Sequence, residues 1–193
     1  MGLEHAENNL PDLMQRFALS TIVETGCHIG CALDYARRCG FTKFYSCDIS
    51  AEMVAIAQTN IPEAAIAHIN SIDFLKDILN MFQRDEMDEP VLFFLDAHFP
   101  SLYEKPELET EETRWPLHRE MELIKKSRRT KDVIICDDIR CIDDPENPTN
   151  WHNLEERYRS HRSYREFIDL FKDTHDVRIC IDDTGRAIFT PKV

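Results

Sequence analysis

The sequence predicts an α/β protein built on a single doubly wound sheet, mostly parallel, with an antiparallel hairpin at its C-terminal end. Short apolar runs rich in β-branched and aromatic residues alternate with helix-like stretches along most of the chain. Such alternation is typical of β-α-β units, whose sheet is covered by helices on both faces. The last two apolar runs are instead joined through Asp-Asp-Thr-Gly at 182–185, which favours a hairpin.

The first half of the chain contains three strand–helix pairs. A short amphipathic helix over 10–18 precedes them, within an N-terminal segment of residues 1–19. Gly40 ends the first helix of the three pairs, and Ser50 is expected to cap the second. The predicted strands are 20–24, 42–48 and 64–69, and the predicted helices are 29–39, 51–59 and 71 to about 83.

The second half contains a fully apolar strand over 90–96 and another buried strand over 131–137. Helices are expected over 115–127 and 154–172, the latter with a break near Ser160, and hairpin strands over 176–181 and 187–190. Residues 97–114 form a long connection that we expect to act as a substrate lid. Alternatively, the aromatic residues Phe99, Tyr103 and Trp115 only pack this connection down.

Length and composition restrict the function classes. A chain of 193 residues accommodates one domain, which we expect to span 1–193. The formal net charge of −13 argues against a nucleic-acid partner, and no apolar run is long enough to cross a bilayer. Seven scattered cysteines without a CxxC pair, and a polar start without the pattern of a secretory signal, favour the reducing cytoplasm.

The carboxyl ends of the strands are where a ligand of such a sheet should bind. The first strand leads into Glu24-Thr25-Gly26-Cys27-His28-Ile29-Gly30. Gly26 permits a tight turn with close backbone approach to a ligand, and Gly30 lets the next helix pack near the strand. The alternative is an ordinary turn and helix start, in which His28 has only a positional role.

Polar residues follow the second and third strands. Asp48, with Ile49 beside it, ends the second strand, where a carboxylate is suited to bind both hydroxyls of a ribose. Asn70 and Ser71 follow the third strand and are candidates for contact with an adenine edge. The alternative for Ser71 is that it caps the next helix.

Three aspartates end the two apolar strands. Asp96 follows one strand, and Asp137 and Asp138 follow the other; together they make an oxygen-rich site suited to Mg²⁺ or a similar cation. Alternatively, these acids cap helices or pair with arginine (Arg114, Arg119 or Arg140). His98 is a candidate general base or metal ligand, or a structural histidine under the lid.

The ordered motifs of this chain resemble those of class I S-adenosylmethionine-dependent methyltransferases. The resemblance rests on the glycine turn, Asp48, Asn70-Ser71, Leu95-Asp96-Ala97-His98, Asp137-Asp138 and the final hairpin, and it covers about 20–190. It implies a Rossmann-like sheet in the order 3-2-1-4-5-7-6 and S-adenosylmethionine as the cofactor. It also implies that Glu24 and Gly26 lie against the methionine part, Asp48 at the ribose, and Asn70 or Ser71 near the adenine. Further cofactor-binding candidates are Thr25, His28, Gly30, Ile49 and Asp96.

Within that family, Asp96, Asp137 and Asp138 resemble the metal triad of small-molecule O-methyltransferases. A divalent ion, such as Mg²⁺, would there lower the pKa of the hydroxyl that attacks the methyl group. Two positions depart from the catechol-type pattern, because Phe99 stands where a lysine is expected and Asp138 where asparagine is common. The resemblance therefore implies methyl transfer to a small molecule, with His98 replacing the lysine as the base beside Asp96.

Two other functions remain open from the sequence. One is an NAD-dependent oxidoreductase, which the absence of GxGxxG and the final hairpin disfavour. The other is a non-catalytic module that binds a nucleoside, which the missing lysine favours. The sequence does not name the methyl acceptor or the oligomeric state.

Overall fold

A computed structural model describes Leu3 and residues 9–98, 114–127, 129–151, 155, 159–181 and 185–192. Its helices are α1 (Leu10–Phe17), α2 (Cys31–Cys39), α3 (Ala51–Asn60), α4 (Ser71–Arg84), α5 (Leu117–Lys126) and α6 (Tyr164–Asp169). Its strands are β1 (Thr21–Thr25), β2 (Lys43–Asp48), β3 (Ala65–His68), β4 (Val91–Leu95), β5 (Val133–Cys136), β6 (His175–Cys180) and β7 (Arg186–Pro191).

The seven described strands form one sheet in the order β3-β2-β1-β4-β5-β7-β6. Strands β1 to β5 are parallel, whereas β7 runs antiparallel to both β5 and β6. The predicted fold class, sheet order and C-terminal hairpin are therefore confirmed. The hairpin turn itself, at 182–184, lies outside the described residues.

Each face of the sheet is covered by a separate apolar cluster. On one face, Val23 and Phe93 pack with the apolar sides of α4, α5 and α6. On the other face, Ile22 and Phe94 pack with α1 and α2, including Leu13 and Leu33. Alternate residues of a strand point to opposite faces, so a strand buried on both sides is apolar throughout, as β4 is.

The structure tests the predicted N-caps of two helices, α3 and α4. Ser50 caps α3 as predicted, because its Oγ accepts the N–H of Met53 at 3.4 Å. The alternative that Ser71 caps α4 is wrong, since Asn70 is the N-cap and its Oδ1 accepts the N–H of Asp73 at 2.9 Å. Ser71 is instead the first helical residue, and it is buried.

Of the helix predicted over 154–172, residues 154 and 156–158 lie outside the described residues, and the described remainder is helical at Tyr164–Asp169. Residues 159–163 are not helical, and Ser160 pairs with Ile142 in an isolated bridge, where the break was expected. The helix begins only after Ser163, whose Oγ accepts the N–H of Glu166, and Asp144 accepts the N–H of Tyr164. These side chains satisfy the first N–H groups of α6 and therefore fix its start.

The amino end of the sheet is closed by a buried ion pair between Arg129 and Asp132. Asp132 accepts the N–H of Val91 at 3.0 Å, and the Arg129 guanidinium donates to the carbonyls of Met87 and Glu89. This pair joins the connections that enter β4 and β5 at the amino end of the sheet, opposite the carboxyl edge.

No helix in the described part of the chain is both long and apolar enough to cross a bilayer.

Candidate functional site

The carboxyl ends of β1, β4 and β5 lie side by side, and the backbone pairing continues past them. The N–H of Asp96 donates to the carbonyl of Thr25 at 3.1 Å, and the N–H of Asp137 donates to that of Leu95 at 3.0 Å. The N–H of Gly26 likewise donates to the carbonyl of Cys47 at 3.0 Å. The glycine turn and the aspartates are therefore brought together at one edge of the sheet.

The glycine turn requires Gly26. This residue has φ +81°, and a Cβ there would lie 2.7 Å from the carbonyl oxygen of Asp96. His28 also has a positive φ, of 45°, and Gly30 is the N-cap of α2 with φ +86°. The chain thus turns tightly against the end of β4, where a side chain at position 26 would meet the backbone of Asp96.

Asp48 holds this turn from the neighbouring strand. Its Oδ2 accepts the N–H of His28 at 2.9 Å, and its Oδ1 accepts the N–H of Ser50 at 2.9 Å. The carboxylate is half-buried, and each oxygen keeps a further acceptor position. Ile49 beside it is exposed, and its carbonyl is bonded to the His68 ring at 3.0 Å.

Glu24 and Thr25 point to opposite faces of the sheet beneath the turn. Glu24 is buried and accepts a hydrogen bond from the Ser46 hydroxyl at 2.7 Å. Burial raises the pKa of the Glu24 carboxyl to about 8, against the effect of the Ser46 hydrogen bond. Thr25 is buried as well, and its Oγ1 accepts the N–H of Asp96 at 3.3 Å.

His98 lies between two carboxylates. Its Nδ1 is 3.4 Å from an oxygen of Asp96, and its Nε2 is hydrogen-bonded to Asp138. The Trp115 ring packs edge-on against the imidazole, with centroids 5.4 Å apart. The side chain of His98 is 10% exposed and that of Asp96 is 28% exposed, so the imidazole is the more deeply buried of the two.

The three groups change one another's acidity. Burial by itself lowers the pKa of His98, but the bond to Asp138 and the surrounding carboxylate charges outweigh it and raise the value to about 9. Burial raises the pKa of Asp96, as do the charges of Asp137 and Asp138, while His98 opposes this shift. The pKa of Asp138 is lowered overall, because its contacts with His98 and Arg140 outweigh its burial.

Among the described residues, the group with metal-ligand spacing is Asp96, His98 and Asp138. Each offers one ligand atom, and these atoms lie within 4.8 Å of one another. Asp137, the third member of the predicted triad, is not in this group, and its Oδ1 accepts the N–H of Asp138. The alternative that these acids pair with arginine is confirmed for Asp138, which is 2.7 Å from Arg140.

The chain resembles solved structures but no known sequence family. No family model and no curated protein matches the sequence. Among solved structures, an O-methyltransferase from Bacillus cereus in complex with SAH superposes with a TM-score of 0.57 and 15% identity, over 100% of this chain and 84% of that chain. An SAH-bound methyltransferase from Podospora anserina gives 0.56 and 13%, over 97% and 78%.

This chain has the class I methyltransferase fold. The identities are low, so the likeness establishes the architecture and the predicted sheet order. Within this fold, Asn70 and Ser71 begin α4 at the same edge as the glycine turn, as predicted from the sequence. Phe99 and the rest of 99–113 lie outside the described residues, so most of the expected lid does as well.

Two features at the carboxyl edge of the sheet were not predicted from the sequence. The Arg140 guanidinium, which pairs with Asp138, also packs 4.5 Å from the centre of the Trp151 ring, and Trp151 is 47% exposed. The second feature is Glu120 on α5, a carboxyl that is 1% exposed and whose Oε1 has no hydrogen-bond partner within the described residues. A charged residue on the apolar stripe of a helix was the available signal, because Glu120 lies between Leu117 and Ile124 on the buried side.

Proposed function

We propose that this protein transfers a methyl group from S-adenosylmethionine to a hydroxyl oxygen of a small-molecule acceptor. The observation that carries the proposal is that the glycine turn, Asp48 and the Asp96–His98–Asp138 cluster share one edge of a class I methyltransferase sheet. Ligands of open α/β sheets bind at that edge. The structural neighbours bound to SAH, the demethylated product, support the same choice of cofactor.

The cofactor would lie along the glycine turn. The tight backbone turn from Gly26 to Gly30 suits the methionine part, and Asp48 keeps acceptor positions for the ribose hydroxyls. Asn70 and Ser71 at the start of α4, with Ile49, would line the adenine side. Asp96 would then face the reacting end, since the turn closes against its carbonyl.

His98 is the proposed general base. Methyl transfer is an in-line displacement, so the protein has to align the two reactants and remove one proton from the acceptor. His98 is protonated at neutral pH because its pKa is raised to about 9. A bound sulfonium cation lowers the pKa of a nearby imidazolium, so cofactor binding would release the proton and prepare the base.

A divalent metal at Asp96, His98 and Asp138 is the second candidate. The ligand atoms of these residues lie within 4.8 Å of one another, and two carboxylates with one imidazole suit Mn²⁺, Zn²⁺ or, less well, Mg²⁺. When bound, such an ion lowers the pKa of the acceptor hydroxyl. His98 would then be a ligand, and another group would have to take the proton.

Cofactor titration followed by a transfer assay tests the proposal. We expect S-adenosylmethionine and its demethylated product to raise the melting temperature, and NAD(H) to leave it unchanged. Tritium from labelled cofactor should then appear on one or more members of a panel of phenols, catechols and sugars. Binding without transfer would favour a non-catalytic module, and stabilisation by NAD(H) alone would favour an oxidoreductase.

We also propose a reducing compartment, such as the cytoplasm, and no nucleic-acid partner. All seven cysteines of the sequence lie in the described part of the chain, and all are free thiols. The net charge of −13 repels a phosphate backbone. A salt-dependent gel shift with DNA or RNA would contradict the second statement.

A further inference from the structure

Trp151 is an exposed aromatic residue beside the candidate site, and the proposed chemistry gives it no role. It is 47% exposed, and the Arg140 guanidinium lies over its ring, 4.5 Å from the ring centre. The backbone N–H of Trp151 also donates to the carbonyl of Arg140 at 3.0 Å. Trp151 therefore contacts Arg140 through both its backbone and its ring.

The loop that carries Trp151 is tied to the turn after β5 by Asn147. The Nδ2 of Asn147 donates to the carbonyls of Ile139 and Ile142, at 2.8 Å in each case. Its Oδ1 accepts the N–H of Thr149 at 3.0 Å and the hydroxyl of the same residue at 2.8 Å. Asn147 is buried, and hydrogen bonds that are shielded from water hold a loop firmly. The loop thus presents Trp151 at a fixed position beside Arg140.

Arg140 connects Trp151 to the Asp138 carboxylate. Its Nη2 is 2.7 Å from Oδ1 of Asp138, while Oδ2 of the same carboxylate is hydrogen-bonded to Nε2 of His98. No aligned hydrogen bond reaches Oδ1 within the described residues, so the contact with Arg140 is an ion pair. Coulomb attraction depends on distance and fixes no direction by itself. A guanidinium that lies flat on an indole ring has its own orientation fixed, and it can then orient the carboxylate.

The orientation of the Asp138 carboxylate decides which nitrogen of His98 is available. An ionised carboxylate only accepts hydrogen bonds, so Nε2 of His98 carries the proton in this contact. When the ring is neutral, Nδ1 is therefore the nitrogen without a proton, and it lies 3.4 Å from an oxygen of Asp96. Asp138 also has a positive φ, of 53°, a conformation that its surroundings have to hold.

We propose that Trp151 is a positioning residue for His98. The Trp151 ring holds the Arg140 guanidinium in place, and the guanidinium keeps the Asp138 carboxylate on Nε2. Nδ1 of His98 is thereby left to take the proton from the hydroxyl of the acceptor. This last step rests on the proposed function, whereas the contacts among the side chains do not. Trp151 acts through Arg140 and needs no contact with the transferred methyl group.

The proton on Nε2 of His98 tests the inference without any need for turnover. A ring proton in a charge-assisted hydrogen bond to a carboxylate gives a downfield NMR signal, which His98→Gln identifies by its loss. In Trp151→Leu this signal should move upfield and broaden, because the carboxylate is no longer held in one orientation. Trp151→Phe should restore it, since a phenyl ring also binds a guanidinium.

Turnover gives a second readout. In Trp151→Leu, kcat should fall by about tenfold to a hundredfold, since a small misplacement of a reacting group lowers the rate strongly. The dissociation constant of the demethylated cofactor, measured by calorimetry, should stay unchanged. Arg140→Lys keeps the charge and loses the planar group, so it should resemble Trp151→Leu. Combining the two changes should add little, because both remove the same contact.

Phe17→Leu is the matched control. The Arg16 guanidinium lies over the Phe17 ring, 4.9 Å from its centre, so this variant also removes a contact between a guanidinium and an aromatic ring. Phe17 ends α1 shortly before the amino end of β1, whereas His98 lies at the carboxyl edge of the sheet. The variant should keep the Nε2 signal and kcat of the wild type. Melting temperatures without ligand report any loss of folding separately.

The outcomes are distinct. An unchanged Nε2 signal in Trp151→Leu would overturn the positioning role, and so would the absence of this signal from the wild-type protein. An equal loss of the signal in Trp151→Phe would also overturn it, because the stacked ring would then not be what holds Arg140. If the signal responds as expected but the wild-type protein transfers no methyl group, the proposed function fails and the positioning of His98 stands.

Discussion

Asp48 accepts the backbone N–H of His28 through Oδ2 at 2.9 Å, so the carboxylate at the end of β2 fixes the turn after β1. His28 has a positive φ, which is unfavourable for a residue with a side chain and has to be held by its surroundings. Asp48 therefore has two tasks in the proposed site. It shapes the glycine turn, and it keeps acceptor positions for a ribose.

Replacement of Asp48 by alanine should weaken cofactor binding more than the loss of a single hydrogen bond would. We expect a rise of about a hundredfold in the dissociation constant, because the ribose acceptor and the support of His28 are both lost. Calorimetric titration with the demethylated cofactor measures it. Asp77→Asn, at an exposed position on α4, is the control, and unchanged affinity in Asp48→Ala would remove Asp48 from the site.

Gly26→Ala should destabilise the protein. The added Cβ meets the Asp96 carbonyl oxygen at 2.7 Å in a backbone conformation that alanine rarely adopts. We expect the free energy of unfolding in denaturant to fall by about 3 kcal/mol. Gly40 also has a positive φ, but a Cβ there meets only the flexible end of Met14. For Gly40→Ala we therefore expect the free energy of unfolding to fall by about 1 kcal/mol. Equal losses would contradict the close approach of the turn to β4.

His98→Gln should abolish turnover while the cofactor still binds. Removing a general base lowers the rate by about a hundredfold to ten-thousandfold. For the wild-type protein, kcat/KM should rise with pH to about 9, since the raised pKa of His98 means that the base is free only above that value. The rise of kcat with pH should occur at lower pH than the rise of kcat/KM, because the bound sulfonium cation favours loss of the proton from His98. A profile that is flat from about pH 6 to about pH 10 would exclude His98 as the base.

Treatment with a chelator distinguishes the two candidate roles of His98, general base and metal ligand. We expect turnover to persist after treatment with EDTA, because His98 and Arg140 already offset the charge of Asp138. Loss of turnover that added Mg²⁺ or Mn²⁺ restores would establish the metal instead. Asp96→Asn should then also abolish the response to the ion, while cofactor affinity is retained.

Glu24→Gln should reduce the loss of stability at alkaline pH. The folded-state pKa of Glu24 is raised to about 8 from about 4.5, so its contribution is fully present below the lower value and is lost as pH rises through the higher one. Glutamine still accepts the Ser46 hydrogen bond but does not ionise. Melting temperatures from about pH 5 to about pH 9 should therefore decline less in Glu24→Gln than in wild type or in the exposed control Glu52→Gln. Parallel curves would contradict the burial of an ionisable Glu24.

Much of the fold could be predicted because apolar runs report burial directly. Strand β4 is buried on both faces and apolar throughout, so its place at the centre of a sheet follows from the sequence. Within the helix predicted over 154–172, the described residues are helical only from Tyr164, because side chains distant in sequence, such as Asp144, decide where α6 begins. Hydrophobic periodicity does not contain that information.

The candidate site was predictable to the extent that it lies at strand ends. Asp48, Asp96 and His98 follow strands, so their meeting at one edge follows from the parallel topology. The absence of Asp137 from the metal-spaced group was not predictable, since the sequence does not give the left-handed backbone that the chain adopts at Asp138. Glu120 was missed because it comes from a helix and reaches the edge only through packing.

The strand order imposes a sequence of events on folding during synthesis. Strand β1 is made first among the strands, yet it lies between β2 and β4. As the chain emerges, β1 can pair with β2 on one side, while the backbone N–H and C=O groups of its other edge have no strand partner until Val91 to Leu95 leave the ribosome. An unfinished chain therefore has an unpaired strand edge, and we expect nascent molecules of this protein to depend on chaperones until β4 has been made.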